Sequence, residues 1–165
     1  AGAHDLGGRC HRPRLGCPAM ETLGPDDLND FLAAAFPESR LPMRVTRSDD
    51  EGVELVWPVE SVQLRPGNTI SGPTLMTLAD TVAYVAVVAR IGLQFLTVTS
   101  SLSIDFLRKP PPADLRATGE LLKLGRRQAV VSIRIHSTQD DQLVAHSTCT
   151  YAIPPTELTE QRETT

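Results

Sequence analysis

The chain has 165 residues, of which 41% are hydrophobic and only 4% aromatic, enough to bury the core of one domain. Its formal charge of −4 argues against nucleic acid or an anionic membrane surface as a partner, since either would need a broad basic patch. Cys10, Cys17 and Cys149 are an odd number without metal-type pairing, the pattern expected of a reducing, cytoplasmic setting.

Residues 1–19 are rich in Gly, Arg and Pro, lack a hydrophobic period and precede the first methionine, Met20. They carry no signal-peptide pattern and are expected to be a disordered tag or a mis-called start. His4, Cys10, His11 and Cys17 match no standard zinc spacing, so no metal site is expected. Residues 20–154 are expected to form a single domain and 155–165 a polar, frayed tail. Within the domain, residues 25–36 open on a proline and two aspartates and place Leu28, Phe31, Leu32 and Ala35 on one face, which predicts a short docking helix. Two β-rich runs follow within residues 43–59, separated by Asp-Asp-Glu-Gly, and predict a hairpin, with Pro58 marking a strand end or an edge. The stretch RPGNTISGP reads as a loop that ends in a helix start.

Residues 72–91 have apolar side chains around nearly the whole circumference, so they predict a helix about 30 Å long that is buried all round. Asp80 interrupts this run, and no membrane span of about 18–20 residues is expected. After Gly92 the period changes to two. Val98, Leu102, Ile104 and Phe106 fall on one face of the next strand, and Thr97, Thr99, Ser101, Ser103 and Asp105 on the other. Alternation recurs in DLRATGELLKL, QAVVSIRIHST and LVAHSTCTYAI, which predicts four strands in an antiparallel meander. The fold class is therefore α+β, with a long central helix wrapped by a curved antiparallel sheet. Its exposed sheet face and edges point to a homodimer or a dimer-of-dimers tetramer.

Asp80 is the anomaly of the long helix, since an ionised carboxylate in an apolar setting costs several kcal/mol unless it is paired, hydrogen-bonded or open to a cleft. Two readings stand side by side: a carboxylate facing solvent or a loop, and a functional group. The helix start at Ser71-Gly72-Pro73 offers unsatisfied N–H groups and a positive dipole end to a developing oxyanion. Ser71 equally suits an N-cap accepting from the Thr74 N–H. Trp57, Tyr84 and Cys149 are expected in the core, while His136 and His146 are expected on the outer side of the sheet or at a subunit contact and receive no role.

RPGNTISGPTLMTLADTVAYVAVVARIG followed by TVTSSLSIDFLRKPPP resembles the hotdog fold of PaaI-like acyl-CoA thioesterases, over roughly residues 45–154. In that family the loop before the helix carries His-Gly-Gly, the helix carries an Asp or Glu nine positions after the His, and both line a site shared between two subunits. Here Ser71 stands at the His position and Asp80 at the carboxylate position. The resemblance implies hydrolysis of an acyl-CoA thioester, with Asp80 as general base or nucleophile and the Gly72 N–H polarising the carbonyl. Thr99 falls where the family places a water-orienting hydroxyl, and Arg65 near its upstream asparagine. Substrate contacts are expected from Arg65 and Asn68 in the loop and from two basic clusters, Arg108 with Lys109 and Arg126 with Arg127, as partners for coenzyme A phosphates. No cofactor is implied beyond the coenzyme A of the substrate. Ser71 cannot act as an imidazole and Pro73 offers no N–H, so a non-catalytic acyl-CoA-binding or sensing hotdog protein is the alternative. A hydratase or dehydratase ranks last, because no His lies near Asp80 in the loop.

Overall fold

The computed structural model describes residues 22–37, 42–59 and 64–155; His4, Cys10, His11, Cys17 and the expectations for residues 1–19 and for the tail from 156 lie outside the described residues. The short helix α1 (Pro25–Ala35) starts at a proline with two aspartates in its first turn and buries Leu28 and Phe31. The expected hairpin consists of β1 (Arg44–Asp49) and β2 (Gly52–Trp57), which ends one residue before Pro58. The loop before the long helix contains a two-residue ribbon, β3 (Leu64–Arg65) against β4 (Thr69–Ile70), whose turn holds Gly67 and Asn68 at positive φ. Asn68 tolerates that left-handed conformation better than most residues, which accounts for its place there.

Helix α2 (Gly72–Ile91) has the predicted bounds, a Ser71 N-cap and a Gly92 C-cap at φ 90°. Four long strands follow: β5 (Val98–Phe106), β6 (Leu115–Leu124), β7 (Gln128–Ser137) and β8 (Leu143–Ala152). With β1 and β2 they form one six-stranded antiparallel sheet in the order β1-β2-β6-β7-β8-β5. The meander holds for β6, β7 and β8 but not for β5, which lies at the far edge beside β8, while β6 lies beside β2. Alternation within a strand fixes its faces and leaves its neighbour open, because the partner is chosen by non-local packing.

The sheet curls around α2, which contributes Leu75, Leu78, Val82, Val85, Val87 and Val88 to a continuous core with Val53, Leu55, Leu115, Ile133 and Ile135. Each such side chain contributes about 1.5–3 kcal/mol on burial. A Cβ on Gly119 of β6 would lie 2.7 Å from a Val82 methyl, so this glycine lets the sheet approach the helix closely. By length and composition alone α2 would suffice to cross a membrane, so Asp80 does not by itself disqualify the run; 72% of that stretch is buried inside the fold.

Candidate functional site

Asp80 lies on α2 facing the first part of β5 and the last part of β8. Its Oδ1 accepts hydrogen bonds from Thr99 Oγ1 at 2.6 Å and from the Tyr151 hydroxyl at 2.8 Å. The same Tyr151 hydroxyl lies 3.1 Å from the Asp80 main-chain carbonyl, and the Cys149 thiol lies 4.0 Å from Oδ1. Among the described residues no donor reaches Oδ2. The carboxylate is only partly buried. It is thus hydrogen-bonded through one oxygen to two strands, where the sequence offered solvent or a loop, and the other oxygen takes no hydrogen bond among the described residues.

Thr99 reaches Asp80 against the predicted alternation. It is aligned with Tyr151, Ser101 is aligned with Thr150, and Ser100 is the extra residue of a β-bulge between them. One extra residue reverses the faces, so Thr99 points inward together with Leu102 and Ile104 although an odd number of positions separates it from Leu102. Val98 is consequently turned outward and is 59% exposed, not on the apolar face as predicted. Tyr151, which the sequence reading passed over, is 3% exposed and packs against Tyr84. The available signal was a phenol on the inward face of a strand facing an Asp-bearing helix, since a buried phenol needs a hydrogen-bond partner.

Burial pushes the Tyr151 phenol well above its usual range, with the nearby Thr99 hydroxyl opposing the shift and the Asp80 charge reinforcing it. Burial, aided by the same charge, pushes the Cys149 thiol up to about 12. Both groups remain protonated at neutral pH, so Tyr151 is a permanent donor and Cys149 is not a thiolate nucleophile.

The helix N-terminus forms a second locus. Ser71 Oγ accepts from the Thr74 N–H at 3.3 Å and shares a 2.8 Å hydrogen bond with the Thr74 hydroxyl, so it is an N-cap. Gly72 lines a cleft of about 570 Å³ together with Arg65, Phe106, Leu107, Arg108 and Lys109. The Phe106 ring lies 3.4 Å from where a Gly72 Cβ would be. Arg65 Nε donates to Thr69 Oγ1 at 3.0 Å, and Arg108 donates to the Leu143 carbonyl at 2.8 Å. Asn68 stands at the tip of the β3–β4 turn and is not part of the cleft wall.

Two pairs of candidate groups lie apart within one chain. Gly72 and Asp80 are separated by eight residues of one helix, about 12 Å along its axis, too far to act on one carbonyl. Arg126 and Arg127 lie in the β6–β7 turn, where Gln128 is aligned with Ala152 and Ala152 with Val98 at the start of β5. Arg108 and Lys109 follow the opposite end of that strand, roughly 25–30 Å away. On the outer sheet face Ser132 Oγ and His146 Nε2 are 3.1 Å apart, remote from Asp80.

The sequence pattern of the thioesterase superfamily matches residues 67–151, which contain α2, β5, β6, β7 and all but the last residue of β8. Among solved structures, a protein of Silicibacter sp. TM1040 assigned as a thioesterase is 37% identical, with 83% of this chain and 96% of that one covered and a TM-score of 0.75. A thioesterase of Pseudomonas aeruginosa shares the fold at 22% identity, covering 82% of this chain and 97% of its own, with a TM-score of 0.71. So does a hypothetical thioesterase of Streptococcus pneumoniae solved with coenzyme A, at 23% identity, 79% and 96% coverage and a TM-score of 0.63. Among curated protein sequences no relative matches. The helix wrapped by an antiparallel sheet is thus the hotdog fold.

Proposed function

Because the chain belongs to the thioesterase superfamily, we propose that it hydrolyses an acyl-CoA thioester, with Asp80 as general base or nucleophile and the Gly72 N–H as the oxyanion donor. The observation that carries this reading is the Asp80 carboxylate, set in an otherwise apolar core helix and held by two hydroxyl donors on one oxygen while the other stays available. As a base, Asp80 takes a proton from water as the oxygen attacks the thioester carbon; the C–S bond then breaks, and the coenzyme A sulfur leaves and acquires a proton. As a nucleophile, its carboxylate displaces the coenzyme A thiolate, which takes up a proton, and the resulting mixed anhydride is cleaved by water to the free acid and the regenerated Asp80 carboxylate. The coenzyme A bound to the Streptococcus pneumoniae protein favours this substrate class.

In this proposal the site is assembled from two copies. The β5 edge has no second strand on its outer side among the described residues. Antiparallel pairing of β5 with its counterpart about a two-fold near Leu102 sets Thr99 opposite Asp105, beside Phe106 and therefore beside Gly72. Asp80 of one copy then meets the Gly72 cleft of the other, and the Arg126–Arg127 turn of the first approaches the Arg108–Lys109 end of the second. Coenzyme A phosphates would be held there. A dimer of dimers is compatible with the polar outer sheet face.

The Ser71 cap and the missing Pro73 N–H favour the second reading, an acyl-CoA-binding hotdog protein without turnover. Free-thiol release from a panel of acyl-CoAs, acetyl through long-chain and phenylacetyl, separates the two. Turnover lost by 10²-fold or more in Asp80→Asn is expected of a general base or nucleophile. Binding of acyl-CoA with no thiol released by the wild type would establish the second reading.

A further inference from the structure

Asp80 holds its carboxylate between two hydroxyls that come from different strands by different means. Thr99 arrives because the Ser100 bulge turns it inward, at the one position of β5 where strict alternation would have pointed it away. Tyr151 arrives from β8 with its ring fixed against Tyr84, which lies one turn of α2 beyond Asp80. Tyr84 is itself held by Phe31 of α1, with ring centroids 5.8 Å apart. The phenol has little rotational freedom, and its single hydrogen faces both Asp80 Oδ1 at 2.8 Å and the Asp80 carbonyl at 3.1 Å. It therefore ties the side chain to its own backbone. Two donors on the same oxygen leave the other without a donor among the described residues.

We infer that Tyr151 is the positioning residue of this site: together with Thr99 it pins Oδ1 of Asp80 and so assigns Oδ2 as the atom that meets water or the thioester carbon. This rests on the thioesterase reading and deepens it, since that reading requires only a carboxylate and does not say which oxygen acts or what orients it. An unpinned Asp80 would rotate about its terminal torsion, which is broad and roughly two-fold for Asp, and would present either oxygen at varying angles. Pinning removes that freedom before substrate arrives, and misplacement of a reacting atom by even 1 Å is costly in rate. Burial keeps the phenol protonated, so the pin persists across the neutral pH range. Thr99 thereby has a different part from the water-orienting one implied by the family resemblance, since its hydrogen is committed to the carboxylate.

The test uses the full-length protein and its Tyr151→Phe, Thr99→Val, Thr99→Ser and Asp80→Asn variants, with kcat and KM on the best-hydrolysed acyl-CoA and a crystal structure of Tyr151→Phe. Phenylalanine keeps the ring packing and removes only the hydroxyl. The expected result is a kcat lower by roughly tenfold in Tyr151→Phe with KM within about twofold of wild type. Thr99→Ser should retain most activity and Thr99→Val should lose it, with the Tyr151→Phe structure showing the Asp80 carboxylate rotated out of its original plane. A Tyr151→Phe enzyme with unchanged kcat while Asp80→Asn is inactive would overturn the pin and leave the thioesterase reading intact. If the wild type hydrolyses no acyl-CoA, the thioesterase reading fails, and the crystal structure alone judges the pin: an unrotated Asp80 overturns it, and a rotated one upholds it as an orienting device for a bound ligand.

Discussion

At one edge of the sheet, the Asn29 side chain of α1 accepts from the Val45 N–H at 2.9 Å and donates to the Val45 carbonyl at 3.1 Å, and a bulge between Val45 and Arg47 further disrupts β1 as a template. At the other edge, β5 runs for nine residues with no second strand against it among the described residues, and Phe106, 52% exposed, ends the strand at the Gly72 cleft. Natural sheets blunt the edges at which they do not associate. One edge here is closed by the chain's own helix, and the other is open among the described residues, as the proposed dimer requires. In the proposed dimer the same contrast accounts for the roughly 12 Å between the Asp80 locus and the Gly72 locus on one helix, each serving as half of a different site.

The sharpest way to break this comparison is to mix subunits. Gly72→Pro removes the N–H at the first helical position, where proline is tolerated, and Ser71 already has the extended conformation that a following proline demands. It should cost about 10²–10³ in kcat, as should Asp80→Asn, with folding retained. Mixing the two inactive variants under exchange conditions should restore roughly one quarter of wild-type activity, because half the dimers are mixed and each of those has one intact site. No recovery would place both groups on the same side of the interface.

Next in size is the edge itself. Ser101 and Ser103 are exposed and flank the expected two-fold, so Ser101→Lys with Ser103→Lys places like charges directly opposite one another. Sedimentation should show the dimer weakened at least tenfold, with activity falling alongside it and the monomer still folded. A smaller effect belongs to the closed edge: Asn29→Ala should lower the unfolding free energy by about 1–2 kcal/mol in urea titrations while leaving dimerisation unchanged.

A last effect, confined to alkaline conditions, is in the pH dependence of stability. The folded-state value of Cys149 is raised from 9.0 to about 12, so above pH 9 the native state keeps a proton that the unfolded chain releases. The stability this represents is present below pH 9 and is lost as pH rises towards 12. Cys149→Ala should flatten that part of the alkaline stability curve, and in the wild type the thiol should resist alkylation at neutral pH until the protein is unfolded.

Much of this architecture was readable from residue patterns because the determining interactions are local. The bounds of α2 follow from Ser71, Gly72 and Pro73 at one end and Gly92 at the other, and the β1–β2 hairpin from its turn residues. Asp80 was visible as a lone carboxylate in an apolar period. The faces of β5 were partly misread, since one additional small polar residue in the sequence TVTSSLS carries no mark of being a bulge. Tyr151 was invisible for a related reason: on its own strand it is simply an alternating residue, and only the register with Thr99 and the approach of α2 give it a role. That the two basic turns occupy opposite ends of the sheet was not readable, because the residue pattern of a turn does not encode which end of a neighbouring strand it lies beside.

Helix α2 also bears on how the chain is made. It ends at Ile91, before any of β5 to β8 has been synthesised, yet β6, β7 and β8 supply much of its cover. For as long as the ribosome takes to add the next 60 or so residues, at about 5–20 residues per second, the elements already made beside this segment with the hydropathy of a membrane span are, among the described residues, α1, the β1–β2 hairpin and the β3–β4 ribbon. Burial of α2 is thus a late, long-range event.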